Sequence, residues 1–156
     1  MLVGENRVEL TYGTQSSAPA LVKMVAAAPG VFEAVTDGTR HALAIRPNGS
    51  AVAPNNPARR GEHIRVYLTG VGGYAPSTPA GAIGRGESVT VQAVVGLQNA
   101  GVPIVKVERA KNLVGIDLVT ILIPLDAPTG TAVPLSAGIT ADGGTAFSNT
   151  TSLPIY

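Results

Sequence analysis

His63-Ile64-Arg65-Val66-Tyr67-Leu68 reads as a half-buried β-strand. Side chains alternate along extended backbone, so Ile64, Val66 and Leu68 share one face and His63, Arg65 and Tyr67 the other. A second decisive stretch is Gly115-Ile116-Asp117-Leu118-Val119-Thr120-Ile121-Leu122-Ile123-Pro124, the most apolar of the chain. Continuous apolarity over that length predicts a central strand buried on both faces.

Working outward, the pattern repeats. Residues 7–12 alternate, with Val8, Leu10 and Tyr12 predicted on one face. Gly13-Thr14-Gln15-Ser16 turns the chain back into Leu21-Val22-Lys23-Met24-Val25, which predicts an N-terminal hairpin. Residues 18–28 have some helical spacing, but an interior proline costs a helix about 3 kcal/mol. Pro19 therefore favours strand. Further strands are predicted over residues 31–35, 42–45, 88–95, 102–109, 132–140 and 147–156. Pro29-Gly30, Asp37-Gly38, Pro47-Asn48-Gly49-Ser50 and Asp142-Gly143-Gly144 mark turns, with Pro29-Gly30 predicted as a type II turn. Pro54-Asn55-Asn56-Pro57 reads as a loop. Residues 69–86 hold six Gly and two Pro and read as a long surface loop. About nine or ten short strands with turns between them predict an all-β fold, an immunoglobulin-like β-sandwich.

Composition narrows the chemistry. The 156 residues include no Cys and no Trp, two His, and only six Phe and Tyr together. Without Cys there is no disulfide framework, thiolate metal site or Cys nucleophile. Eleven basic residues against ten acidic ones give a net charge of +1. That is no electrostatic footprint for nucleic acid. Arg59-Arg60 is the only adjacent basic pair and is expected in a solvated turn. No apolar run reaches the length of a transmembrane helix. The opening Met1-Leu2-Val3-Gly4-Glu5 does not read as a secretory leader. The expectation is a trimmed piece of an exported protein, at the cell surface or outside the cell.

The two ends echo each other loosely. Gly4, Val8, Leu10, Ser16 and Val22 are followed, near the C-terminus, by Gly130, Val133, Leu135, Ser148 and Leu153 in similar order. The echo suggests two related units in tandem.

An ordered set of short segments carries a family resemblance. They are Ala26-Ala27-Ala28-Pro29-Gly30-Val31-Phe32, Asn48-Gly49-Ser50, Asn56-Pro57-Ala58-Arg59-Arg60-Gly61 and Val66-Tyr67-Leu68-Thr69-Gly70-Val71-Gly72. Gly81, Val114-Gly115, Ile123-Pro124 and Ser148-Asn149 follow. The set resembles the Solibacter-type uncharacterised C-terminal domain of exported acidobacterial proteins, which is similar to immunoglobulin-like IPT/TIG sandwiches. The resemblance covers residues 4–156. It implies that residues 1–28 are the last hairpin of a truncated preceding sandwich and that residues 29–156 are a complete one. It implies export and no established chemistry. The chain departs from the family pattern at Gly115-Ile116-Asp117-Leu118-Val119 and at Asn112-Leu113.

Candidate sites are few. His41 and His63 alone cannot complete the four ligands of a structural zinc site, although Glu62 adjoins His63 and Asp37 precedes His41 by four residues. Solvated imidazoles are expected instead. Asp37, Asp126 and Asp142 stand in Gly-containing loops without the dense carboxylates calcium needs. Gly86-Glu87-Ser88 lacks the nucleophile-elbow pattern of a serine hydrolase. Asp117 inside the most apolar strand calls for a partner, with Lys111, Arg109 or a backbone amide as candidates.

Tyr67 and Tyr74 flank the long loop and are the candidate stacking pair for a sugar ring; Tyr12 and Tyr156 are the other tyrosines. Val8, Leu10, Leu21, Val22 and Met24 form a candidate assembly face on the hairpin. The expected function is a non-catalytic structural or adhesive module without cofactor, with head-to-tail strand pairing into a filament or surface layer. Its expected partner is protein, either another copy or the rest of a larger exported chain. The alternative is a carbohydrate-binding module using Tyr67 and Tyr74.

Overall fold

The structure is a computed structural model that describes residues 3–36 and 38–156. The described residues form strands, turns and bends and no helix. The chain opens with β1 (Gly4–Val8), β2 (Thr11–Tyr12), β3 (Gln15–Ser16) and β4 (Ala20–Met24). β1 pairs with β4 and β2 with β3, so residues 4–24 make one long hairpin broken in the middle. At its tip Gly13 takes a positive φ of 60°, as the first central residue of a two-residue hairpin turn.

The body follows with β5 (Gly30–Val31), β6 (Glu33–Thr36), β7 (Thr39–Ala42), β8 (Ala44–Ile45), β9 (His63–Thr69) and β10 (Tyr74–Ala75). Next come β11 (Ser88–Val89), β12 (Gln92–Leu97), β13 (Ala100–Val102), β14 (Ile104–Arg109) and β15 (Asp117–Leu122). β16 (Gly130–Ala141), β17 (Gly144–Phe147) and β18 (Thr151–Ile155) close the chain. A seven-stranded sheet runs β10-β11-β14-β15-β9-β5, with β8 also on β9. A five-stranded sheet runs β13-β12-β16-β17, with β18 also on β16. β6 and β7 form a separate ribbon.

Ile64, Val66, Leu68, Val119 and Ile121 from the larger sheet share one buried cluster with Leu97, Leu135, Ile139, Leu153 and Ile155 from the smaller. Two sheets burying one aliphatic core make a β-sandwich-like, all-β architecture. Each such side chain, fully buried, contributes roughly 1.5–3 kcal/mol.

Several expected elements are divided. The predicted strand over residues 7–12 breaks at Glu9-Leu10, because Leu10 exchanges hydrogen bonds with Ser17 outside the ladder. Residues 88–95 and 102–109 are each split between the two sheets. The chain crosses at Thr90-Val91 and again at Pro103, which has no N–H to give a ladder. Divisions of this kind, and two-residue strands such as β10 inside the expected loop, raise the count to eighteen strands among the described residues. Pro29-Gly30 is not a type II turn. Gly30 is extended and pairs with Thr69, lacking the positive φ that turn needs. Asp142 and Gly143 do have positive φ (50° and 78°) and close the β16–β17 hairpin. β6 pairs with β7 as far as Thr36 and Thr39; of the expected Asp37-Gly38 turn, Asp37 lies outside the described residues.

Side chains explain other marks of the sequence. Asn149 accepts from the Val31 amide at 2.8 Å and donates to the Val31 carbonyl at 3.2 Å, mimicking a strand pair between the sheets. Arg59 and Arg60 are exposed and Arg60 stands in a turn, as expected, with its Nε donating to the Ala127 carbonyl at 2.8 Å. Arg46 pairs with Glu62 at 2.5 Å and donates to the Pro57 carbonyl at 2.6 Å, fastening the loop after β8.

The hairpin joins the body where backbones touch. The Ala28 amide donates to the Gly70 carbonyl at 2.8 Å. A Cβ on Gly70 would lie 1.9 Å from the Ala28 carbonyl oxygen, and φ there is +70°. Gly49 has a similar φ of +86° but open space around it. Gly70→Ala is expected to cost about 3 kcal/mol or more, combining a rigid clash with backbone strain, and Gly49→Ala about 1 kcal/mol. Thermal unfolding of the two variants measures the difference; equal losses would show that strain alone matters.

Candidate functional site

At one end of the larger sheet a charged network is buried where alternation places apolar side chains. Asp117 and Arg109 are cross-strand partners on β15 and β14, exposed by 0% and 4%. Asp117 also stands opposite Leu68, so it lies on the core side. The Tyr74 hydroxyl donates to Asp117 Oδ2 at 3.2 Å. The Arg109 guanidinium sits 5.0 Å from the Tyr74 ring centroid, a cation–π distance. Arg109 also donates to Thr78 Oγ1 at 2.7 Å and the Ala82 carbonyl at 2.5 Å. Glu87 lies 4.0 Å from Arg109 as its ion-pair partner. Arg109 thus fastens the 76–87 loop to the sheet. That loop borders a cleft of about 780 Å³ with Ser77, Thr78 and Glu87 in its wall.

Burial pushes the Asp117 carboxyl above its ordinary range, although the Tyr74 hydroxyl, the Val71 amide and Arg109 all favour the charged form. Its Oδ1 has no hydrogen-bond partner of good geometry. Tyr74 is pushed up to about 12, chiefly by burial and then by the Asp117 charge. The Arg85 amide, above all, holds Glu87 below its ordinary value.

Arg109 was among the partners the sequence offered for Asp117; the role of Tyr74 had no signal in it. Tyr74 spends its hydroxyl on Asp117 and has Arg109 against its ring, so it is no sugar platform. Tyr67 lies opposite Leu118 on the outer face, whereas Asp117, next along β15, faces the core. The two tyrosines therefore do not form one stacking surface. Tyr12 is exposed at the hairpin tip and Tyr156 at the C-terminus.

His41 is no solvated imidazole. It is buried, with Nδ1 2.8 Å from Ser152 Oγ. Ser152 Oγ donates to the Arg40 carbonyl at 2.7 Å, so its one proton is committed and His41 Nδ1–H donates to Ser152. The pair ties β7 to β18. His63 is exposed on the outer face of β9. Among the described residues no three His, Asp or Glu converge as a metal site. Asp126 and Asp142 are exposed and border separate clefts. Asp37, named for both metal readings, lies outside the described residues.

The hairpin face is only partly as expected. Directly opposed residues share a face, so Val8, Val22 and Met24 lie together with Ala20. Leu21 is opposite Arg7 on the other side. Adjacent residues of a strand cannot share a face, which separates Leu21 from Val22. Val8, Leu10, Leu21 and Val22 are exposed by 41, 72, 73 and 40%, while Met24 is half-buried. Lys23, Met24 and Val25 border an apolar cleft of about 340 Å³ against Ile139 and Ala146.

Comparison with family models, curated proteins and solved structures finds no match. Among the described residues no helix is long and apolar enough to cross a membrane.

The Asp117 network makes two measurable predictions. A raised carboxyl holds its proton in the fold at pH values where the unfolded chain has lost it. Its contribution therefore favours the fold under acid conditions and is lost as pH rises through the folded value. Asp117→Asn, a neutral isostere, is expected to be more stable than wild type at pH 7, with the advantage shrinking towards pH 4. Arg109→Met removes the buried cation beside Asp117 and is expected to cost about 3 kcal/mol. Urea unfolding across pH checks both; an Asn variant less stable at pH 7 would show the charge to be favourable.

Proposed function

We propose that this chain is a non-catalytic structural or adhesive module of an exported protein, with an immunoglobulin-like body, and that it associates through its N-terminal hairpin. One observation carries the proposal. β1 and β4 pair only with each other among the described strands, leaving both outer edges of the hairpin open. Exposed Val8, Leu10, Leu21 and Val22 stand on those same strands or beside them. An isolated two-stranded ribbon is marginal in water, and open edges are templates for pairing with another chain. The partner is a neighbouring module, supplied by the preceding unit of a longer chain or by a second copy. Head-to-tail pairing between copies builds a filament or surface layer when its rotation does not close into a ring. The family resemblance supports the division at residues 28 and 29 and the extracellular setting.

Light scattering of the purified chain is expected to show mass rising above 15.7 kDa with concentration, unchanged by chelator. Leu21→Glu with Val22→Lys charges both faces of the ribbon and is expected to return the chain to monomer without altering the melting of the body. A constant monomer mass across the concentration range removes self-assembly, and a hairpin protected from proteolysis in that monomer removes the hairpin as an interface.

A further inference from the structure

We infer that the outer face of the larger sheet binds an acidic sugar, in a groove built on Tyr67 and walled by Arg65, Lys106 and Lys111. The site is separate from the hairpin and from the Asp117 network. β9, β15 and β14 are adjacent and in register, which lines up two rows across the sheet. Tyr67, Leu118 and Glu108 form one row; Arg65, Thr120 and Lys106 form the next. Opposed residues share a face, so both rows look outward. Lys111, from the loop after β14, joins Tyr67, Leu118, Glu108, Arg65 and Lys106 around a concavity of about 290 Å³, with Thr120 buried beneath.

Its charge is unbalanced. Lys106 is paired with Glu108 at 2.9 Å. Among the described residues neither Arg65 nor Lys111 has an ion-pair partner, so two cations remain to meet an anion across the same groove. The chain as a whole carries only +1, which makes the concentration of positive charge here local. Thr120, between Arg65 and Lys106 in its row, has a buried hydroxyl without a hydrogen-bond partner. A half-buried aromatic supplies an apolar surface for the C–H face of a pyranose, with its hydroxyl left as a polar handle. The volume is at the small end for ligand sites and suits one ring at a time. Planar guanidinium at Arg65 matches a carboxylate or sulfate in bidentate fashion. An aromatic floor, two free cations and a ring-sized concavity select a sugar bearing a carboxylate or sulfate over a neutral one.

The test is calorimetric titration of the full chain with oligogalacturonate and with sulfated heparin oligosaccharides. Neutral cello-oligosaccharide and polyglutamate serve as comparators. Binding to at least one acidic sugar is expected, tenfold or more tighter than to either comparator, and weakening with salt. Lys111→Glu, at an exposed loop position, is expected to weaken it at least tenfold while leaving the melting temperature unchanged. Tyr67→Ala is expected to do the same to binding and Tyr67→Phe to keep most of it. Saturation-induced shifts of backbone amides in β9 and β15 would locate the ligand should Tyr67→Ala fail to fold. Failure to bind either acidic sugar overturns the inference. So does polyglutamate binding as tightly, or binding indifferent to Lys111→Glu.

Discussion

Aliphatic packing between two twisted layers is the constraint on which the structure depends. With so few aromatic side chains, the core is filled by Ile, Leu and Val, whose reach is short. Short side chains close a gap only if the backbones approach closely and the strands keep their alternation. β9 and β15 satisfy this along their length: Ile64 against Ile121 and Val66 against Val119 are cross-strand pairs with almost no exposure. Other strands depart where the chain must change layer, and those departures are the places at which short segments such as β11 and β13 replace long ones. Close approach also explains Gly70 and Gly72, which lie against the carbonyls of Ala28 and Ala26.

Against that background Asp117 is an expense. An acid at a position of the core face costs desolvation, and the raised carboxyl records it. What the residue gains is a lock: Tyr74, Arg109 and the 76–87 loop are drawn together at the rim where the apolar layer ends. The loop is mostly exposed and none of its residues belongs to the buried cluster, and hydrogen bonds from one buried guanidinium to Thr78 and Ala82 hold it. The desolvation of buried ionic groups offsets much of their mutual attraction, so this network adds little net stability while it fixes the loop in one place.

Much of this was legible in the sequence, and the illegible parts share a cause. Alternation over residues 63–68, the positive-φ turn at Asp142-Gly143 and the need of Asp117 for a partner are local signals, and each is present. The division of residues 88–95 between sheets is not local: Val89 and Ala93 both suit extended backbone, and only pairing with β10 or β16 decides which layer takes them. Gly30 looked like a turn residue because Pro29 precedes it, yet Thr69 claims it for a ladder. Tyr74 looked free because nothing within the long loop announces that β10 brings its hydroxyl to β15. Leu21 is as apolar as Val22, but strand parity puts adjacent residues on opposite faces, so hydrophobicity alone does not place it.

Those corrections redistribute the outer surface. Removing Tyr74 from any sugar platform leaves Tyr67 alone, and a lone half-buried tyrosine has little selectivity. Its neighbours supply what a second ring would have supplied: Arg65 stands two residues before Tyr67 on β9, and Lys106 is in register with Arg65 through Thr120, so all three share a face. The hairpin obeys the opposite logic. Its two faces both carry exposed apolar groups, Leu21 on one and Val22 on the other, so no single surface of the body can cover both. A ribbon that is apolar on each side is matched by insertion between two layers, as a strand pair added to the edge of a neighbouring sandwich, and flat docking would leave one side wet. For the proposed association, that geometry favours edge pairing over face packing.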